Sequence, residues 1–121
     1  MEVHKSWLFT FSGSPYDGAF AREALDMALA TAVFESSVSC LFLHDGVFQL
    51  MAEQKANASD VLSMEKSLQA LPLYDVNNVY VCEQSLLMRS LYPECLFMSV
   101  QLLSANAMRQ LYDQTQTVVC L

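Results

Sequence analysis

Cys82 stands where the apolar run VYVC gives way to EQSLLMR, at the joint between a strand-like and a helix-like segment. A thiol in the first turn of a helix meets unsatisfied backbone amides and the positive end of the helix dipole. That setting favours thiolate and brings a cysteine pKa into a range of about 3.5–7.5 in strong cases. A sulfur so placed could accept a further sulfur atom and hand it on as a persulfide. Two features oppose activation: Glu83 adds negative charge beside it, and no cation is nearer in sequence than Arg89. The alternative is that Cys82 is apolar filler at a strand end, a common use of free cysteine.

Other residues invite chemistry less strongly. Ser12-Gly13-Ser14, in the stretch FSGSPYDG, offers hydroxyls and amides ahead of a helix, the ingredients of a phosphate cradle such as one for a flavin. It matches neither GxGxxG nor GxxxxGK[ST] and has no P-loop lysine, so a tight turn with capping groups is the simpler reading. His44 and Asp45 adjoin, yet neighbouring side chains on an extended segment point to opposite faces, so adjacency does not make a dyad. No serine sits in a GxSxG elbow. The four cysteines, Cys40, Cys82, Cys95 and Cys120, lack CxxC spacing, which argues against disulfides and zinc. No cofactor and no metal are expected.

The elements that would position these residues can be read in order. SWLFTF, Ser6 to Phe11, is a β-prone run ended by the punctuation of SGSPYDG. AFAREALDMALATAVFES, with Asp17 ahead as a cap, is apolar around most of its circumference and reads as a buried helix. SVSCLFL, Ser37 to Leu43, is a second strand, closed by Asp45-Gly46. VFQLM makes one short helical turn. Ser59 caps a helix through DVLSMEKSLQAL, which Pro72 stops. The third strand runs Asn78 to Cys82, a short helix Ser85 to Leu91 breaks before Pro93, and CLFMSV is the fourth strand. A helix from Ala105 to Tyr112 and the strand TVVCL complete the order β-α-β-α-β-α-β-α-β.

Strands that alternate with helices imply parallel pairing and right-handed crossovers, with helices on both faces. The expectation is a three-layer α/β/α domain with a mostly parallel sheet of about five strands, spanning residues 1–121 as one unit. Every loop after a strand leaves such a sheet on one edge, where open α/β folds bind ligands. That edge would collect Ser12-Gly13-Ser14, His44-Asp45 and Cys82.

Composition narrows the function. Thirteen acidic residues against six basic ones give a net charge of −7, with no basic stripe for phosphates, so direct nucleic-acid binding is not expected. No window approaches the roughly 18 consecutive apolar residues of a membrane span, which points to a cytoplasmic protein. Hydrophobic residues make up 54% of the chain and charged ones 16%, against a usual charged share of about 25%. A chain this small cannot hide all of that apolar surface, so partner surfaces, or homo-oligomerisation of the isolated chain, are expected.

Read together, SGSPYDG leading into AREALDMALATAVF, then FLHDGVFQL, then LPLYDVNNVYVCEQSLLMR resemble the TusC/DsrF branch of the DsrE-like sulfur-relay family across nearly the whole chain. The AREALD helix followed by DGVFQL is the most specific part. The resemblance implies a partner complex, a dimer of heterotrimers with TusB-like and TusD-like subunits, or DsrH-like and DsrE-like ones. Such a complex passes persulfide sulfur through a TusE-like carrier toward 2-thiolation of the tRNA wobble uridine. The Dsr counterpart serves dissimilatory sulfur oxidation instead.

In the TusD/DsrE branch the sulfur-accepting cysteine closes the third strand, the place Cys82 holds here. The TusC/DsrF branch is regarded as lacking an essential relay cysteine, and CEQSLLMR departs from the alanine-rich stretch of the active branch. The resemblance thus implies a non-catalytic subunit, with Cys82 as the candidate persulfide thiol if the chain carries sulfur itself. In such a subunit Val47, Phe48, Leu50 and Met51 are expected to insert into a partner, the alternative being packing onto the chain's own sheet.

Overall fold

The computed structural model describes residues 6–14, 20–35, 37–51 and 66–121. Five strands form one sheet: β1 (Trp7–Phe11), β2 (Val38–Phe42), β3 (Asn78–Cys82), β4 (Gln101–Leu103) and β5 (Thr117–Cys120). Their order is β4-β3-β2-β1-β5 and every pairing is parallel, as the alternation of strands and helices requires. The register aligns Leu8 with Ser39 and Val118, and Phe42 with Val81. Helices α1 (Phe20–Phe34), α2 (Glu83–Met88) and α3 (Ala105–Gln114) are joined by 3-10 turns at His44–Leu50, Leu71–Tyr74 and Pro93–Cys95.

Side-chain alternation divides the sheet into two faces. One face presents Phe9, Phe11, Val38, Cys40, Phe42, Val79 and Val81 to a single core that also holds Ala21, Ala24, Leu25 and Ala28 of α1. These four helix residues follow i, i+3, i+4, i+7 spacing, so one stripe of α1 meets the sheet. Three of them are alanines, which lets the helix backbone approach the strands closely. Phe11 and Phe42 stack in this core with ring centroids 4.7 Å apart. The opposite face carries Leu8, Thr10, Leu41, Tyr80, Cys82 and Cys120, and α3 lies over its carboxyl end. Ser104 caps α3, its Oγ accepting the Ala107 N–H at 3.2 Å.

Three sequence expectations change. Helix α1 is not buried all round, since Phe20, Met27, Val33 and Phe34 are exposed on it. The fourth strand is Gln101–Leu103 and not CLFMSV: Cys95 closes a 3-10 turn, and Leu96 forms only an isolated antiparallel bridge with Met51. The Phe97 N–H donates to the Leu50 carbonyl at 3.0 Å, so this apolar segment docks on the core without joining the sheet. The short helix starts at Glu83 and ends at Met88, earlier than Pro93 demands. Ser90 adopts φ 55°, the Leu91 N–H reaches the Leu86 carbonyl at 2.9 Å, and the Ser90 N–H reaches the Leu87 carbonyl at 3.2 Å. This is a Schellman stop. The expected caps Asp17 and Ser59, and most of the helix after Ser59, lie outside the described residues.

Candidate functional site

The carboxyl ends of β1, β2 and β3 lie side by side, so Ser12-Gly13, His44-Asp45 and Cys82 meet on one edge, as the topology predicts. Most of the polar groups there hold the scaffold together. The Ser12 hydroxyl donates to the Leu121 carbonyl at 3.0 Å, and Gln49 Nε2, on a buried side chain, donates to the Gly13 carbonyl at 2.8 Å. These bonds engage Ser12 and Gly13 as a turn would.

The turn after β2 is pressed against β1. A Cβ on Gly46 would lie 1.8 Å from the Phe11 carbonyl oxygen, so no side chain fits there. His44 takes a left-handed backbone, φ 52°, and its N–H donates to the Oγ of buried Ser85 at 2.8 Å. Asp45 faces Arg89, whose Nε and Nη2 reach one carboxylate oxygen at 3.1 and 3.0 Å. Arg89 Nη1 also donates to the Ser85 carbonyl at 3.2 Å. The His44–Leu50 turn and α2 are therefore one locked unit, and His44 and Asp45 do not act as a pair.

Cys82 occupies the cap position before α2 and is partly exposed. It opens into a cleft of about 390 Å³ with mostly apolar walls. Leu43, His44 and Gln84 line it from the strand ends and α2, while Met108, Arg109 and Tyr112 line it from α3. The Tyr112 phenol titrates above its ordinary 10.0, first because it is partly buried and then because the Cys120 and Cys82 thiols, once ionised, oppose its charge. The three groups thus share one neighbourhood on the second face of the sheet.

The other cysteines differ in setting. Burial pushes the Cys40 thiol up to about 12, so it is an inert core residue. Cys95 is partly exposed and Cys120 exposed; all four are free thiols. Among the described residues no group of His, Cys, Asp and Glu could hold a metal ion, and no helix is long and apolar enough to cross a membrane. Asp113 also lines the cleft, so the partly exposed sulfur shares it with an imidazole, a guanidinium and a carboxylate, a setting in which a thiol could exchange sulfur.

The four residues expected at an interface separate into two pairs. Val47 and Leu50 are fully buried in the chain's own core, because the 3-10 turn lays them against β1 and β2. They cannot insert into a partner as the chain stands. Phe48 and Met51 pack on the core while keeping exposed area. Sequence reasoning missed Met108, Arg109 and Tyr112 as cleft residues. The signal was there: Met108 and Tyr112 stand four apart on a capped helix following β4, and a crossover back to β5 must bring that helix over the sheet.

The fold and site define a three-layer α/β domain with an all-parallel five-stranded sheet and a thiol-bearing cleft at its carboxyl edge. The family model described as DsrE/DsrF-like matches residues 5–121. A TusC homolog of Pseudomonas aeruginosa is 40% identical over 119 residues, covering 96% of this chain and all of the relative. The TusC proteins of Shigella flexneri and of Escherichia coli O9:H4 are each 37% identical over 103 residues, covering 84% of this chain and 87% of their own. The crystal structure of the ychN protein from E. coli superposes with a TM-score of 0.78 at 17% identity, covering 97% of this chain and 99% of that one, which shows the shared fold. The chain belongs to the DsrE/DsrF-like family, in its TusC/DsrF branch.

Proposed function

We propose that this protein is a subunit of a TusBCD-type sulfur-relay complex serving 2-thiolation of the tRNA wobble uridine, and that its part in the complex is structural. The observation that carries the proposal is the 40% identity to a TusC homolog across the full length of that relative. In this reading a TusD-like subunit holds the persulfide, a TusB-like subunit completes the heterotrimer, two heterotrimers pair, and a TusE-like carrier removes the sulfur. The surroundings of Cys82 favour the structural part. Arg89, the cation nearest in sequence, is committed to Asp45 and the Ser85 carbonyl, and α2 is only six residues long.

Co-expression with TusB-like and TusD-like subunits tests this directly. The purified complex is given a cysteine desulfurase with its substrate, and each subunit is weighed by intact mass. The sulfur adduct is expected on the TusD-like chain and not on this one. Phe48→Asp is expected to reduce co-purification of the partners, since Phe48 is one of the two expected interface residues that keep exposed area.

The placement of Cys82 beside His44 in an open cleft favours a second reading, a sulfur carrier in its own right. A reductant-sensitive adduct on this chain that Cys82→Ser abolishes would establish it. A role in dissimilatory sulfur oxidation is decided by neighbouring genes: dissimilatory sulfite reductase genes beside this one would indicate it.

A further inference from the structure

Helix α3 lays one stripe of side chains along the Cys82 cleft. Ala105, Met108 and Tyr112 stand at i, i+3 and i+7, the spacing of one helix face, and all three line the cleft. Arg109 and Asp113, at i+4 and i+8, complete that stripe where an amphipathic helix would carry apolar residues. They stand four residues apart, yet they do not pair. The same spacing on α1 brings Arg22 to Asp26 at 3.4 Å, and Arg89 is held by Asp45. Among the described residues the side chains of Arg109 and Asp113 make no ion pair or hydrogen bond with each other or with any third residue. The cleft that holds the partly exposed Cys82 therefore also offers one cation and one anion, side by side and unengaged.

We propose that this cleft takes the disulfide of a zwitterionic α-amino-acid thiol, of which cystine is the simplest, with the ligand's carboxylate on Arg109, its ammonium on Asp113 and one sulfur against Cys82. The charge pattern selects the class. A purely anionic disulfide would meet Asp113 and approach a chain of net charge −7, and a purely cationic one would meet Arg109. A zwitterion carries no net charge and satisfies both side chains. The volume of about 390 Å³ is that of a small-molecule site, and Leu43, Met108 and Tyr112 give apolar walls to the methylene and sulfur atoms between the ligand's charged groups.

The step is thiol–disulfide exchange. The Cys82 thiolate attacks one ligand sulfur, and the ligand's S–S bond breaks as the new S–S bond to Cys82 forms. Cys82 is oxidised to a mixed disulfide, and the other half of the ligand leaves as a reduced thiolate that takes up the proton Cys82 gave. The ligand is the sole oxidant. The product is a reversible cap that bars Cys82 from accepting another sulfur. Because exchange needs neither a desulfurase nor a partner subunit, this cap is independent of the sulfur-relay reading.

The isolated full chain carries its own control. Cys120 is exposed on β5, and β2 and β1 lie between β5 and β3, so Cys82 and Cys120 are about 14 Å apart across the sheet, too far to form a disulfide with each other. The reduced chain is given one of four probes near neutral pH: cystine, cystamine, which lacks the carboxylate, dithiodipropionate, which lacks the ammonium, and hydroxyethyl disulfide, which lacks both. Peptide mass spectrometry follows the adduct at each cysteine, and the ratio of the Cys82 rate to the Cys120 rate cancels each probe's own reactivity. That ratio is expected to be about fivefold higher for cystine than for any other probe, the share that two exposed charge contacts supply. Arg109→Gln and Asp113→Asn should each remove most of the preference, with circular dichroism showing both variants folded. No adduct at Cys82, equal ratios for the four probes, a higher ratio for a probe with one kind of charge, or a preference that either substitution leaves intact would overturn the proposal.

Discussion

Arg89 and Asp45 meet across 44 residues of chain, the guanidinium Nε and Nη2 converging on one carboxylate oxygen at 3.1 and 3.0 Å. The pair pins α2 to the turn after β2, and with them the two walls of the cleft nearest Cys82. It also occupies Arg89, the cation nearest to the thiol in sequence, and leaves Arg109 as the guanidinium lining the cleft. Asp45 is mostly exposed, so the pair itself is weak. A double-mutant cycle by urea unfolding should give a coupling below about 1 kcal/mol. Arg89→Ala should cost more than Asp45→Ala, because it also strips the Ser85 carbonyl of a donor. Because Arg89 is already engaged, Arg89→Met should change the alkylation rate of Cys82 by less than about twofold.

Gly46 is a point of contact between backbones. The Cβ of an alanine there would overlap the Phe11 carbonyl oxygen at 1.8 Å, and backbone cannot swing aside as a side chain can. Gly46→Ala should therefore lose about 3 kcal/mol or more, within the range reserved for severe steric faults. Urea midpoints measure it, and the loss should exceed that of Gly13→Ala, where a Cβ meets open space.

Cys40 makes stability depend on alkaline pH. Its folded thiol titrates near 12 and its ordinary value is 9.0, so the fold favours the protonated form. Above 9 the unfolded chain sheds a proton that the folded chain keeps. The stability present below pH 9 should fall as pH rises from 9 toward 12, by about 1.4 kcal/mol per unit. Urea unfolding at several pH values checks the slope, which Cys40→Ala should flatten. In the native protein at pH 8, an aromatic disulfide reagent should reach Cys120 and Cys82 well before Cys40.

Tyr112 reports on the cleft. Its phenol is raised by burial and by the thiols of Cys120 and Cys82. The ultraviolet titration of the wild type minus that of Tyr112→Phe should have a midpoint above 10. Cys120→Ser should move that midpoint down, and Cys82→Ser should move it less, following the order of their influence.

Sequence patterns revealed most of the frame where burial shaped them. Asn78–Cys82 falls where an apolar run between turn residues places it, and the turn His44–Leu50 follows from Asp45-Gly46. The failure at the fourth strand has a physical cause. CLFMSV is apolar because it packs on the core, whereas the true strand, Gln101–Leu103, is a short sheet edge that is largely exposed. Hydrophobicity reports burial, and here burial and strand pairing part company. The same limit applies to Val47 and Leu50: an apolar residue in a short turn is equally consistent with its own core or another molecule's, and only the fold says which. The cleft was half visible, since topology gathers strand ends but does not reveal which side chains a returning helix brings over them.

The pairing of β5 with β1 bears on how the protein is made. Leu8 waits for Val118, so until β5 has been made β1 has a bare flank that no earlier segment of the sheet fills. Closing contacts across so long a stretch slows folding, and a nascent chain in that state offers its open edge to any passing strand. Companions or chaperones that meet the chain during synthesis would meet it at β1.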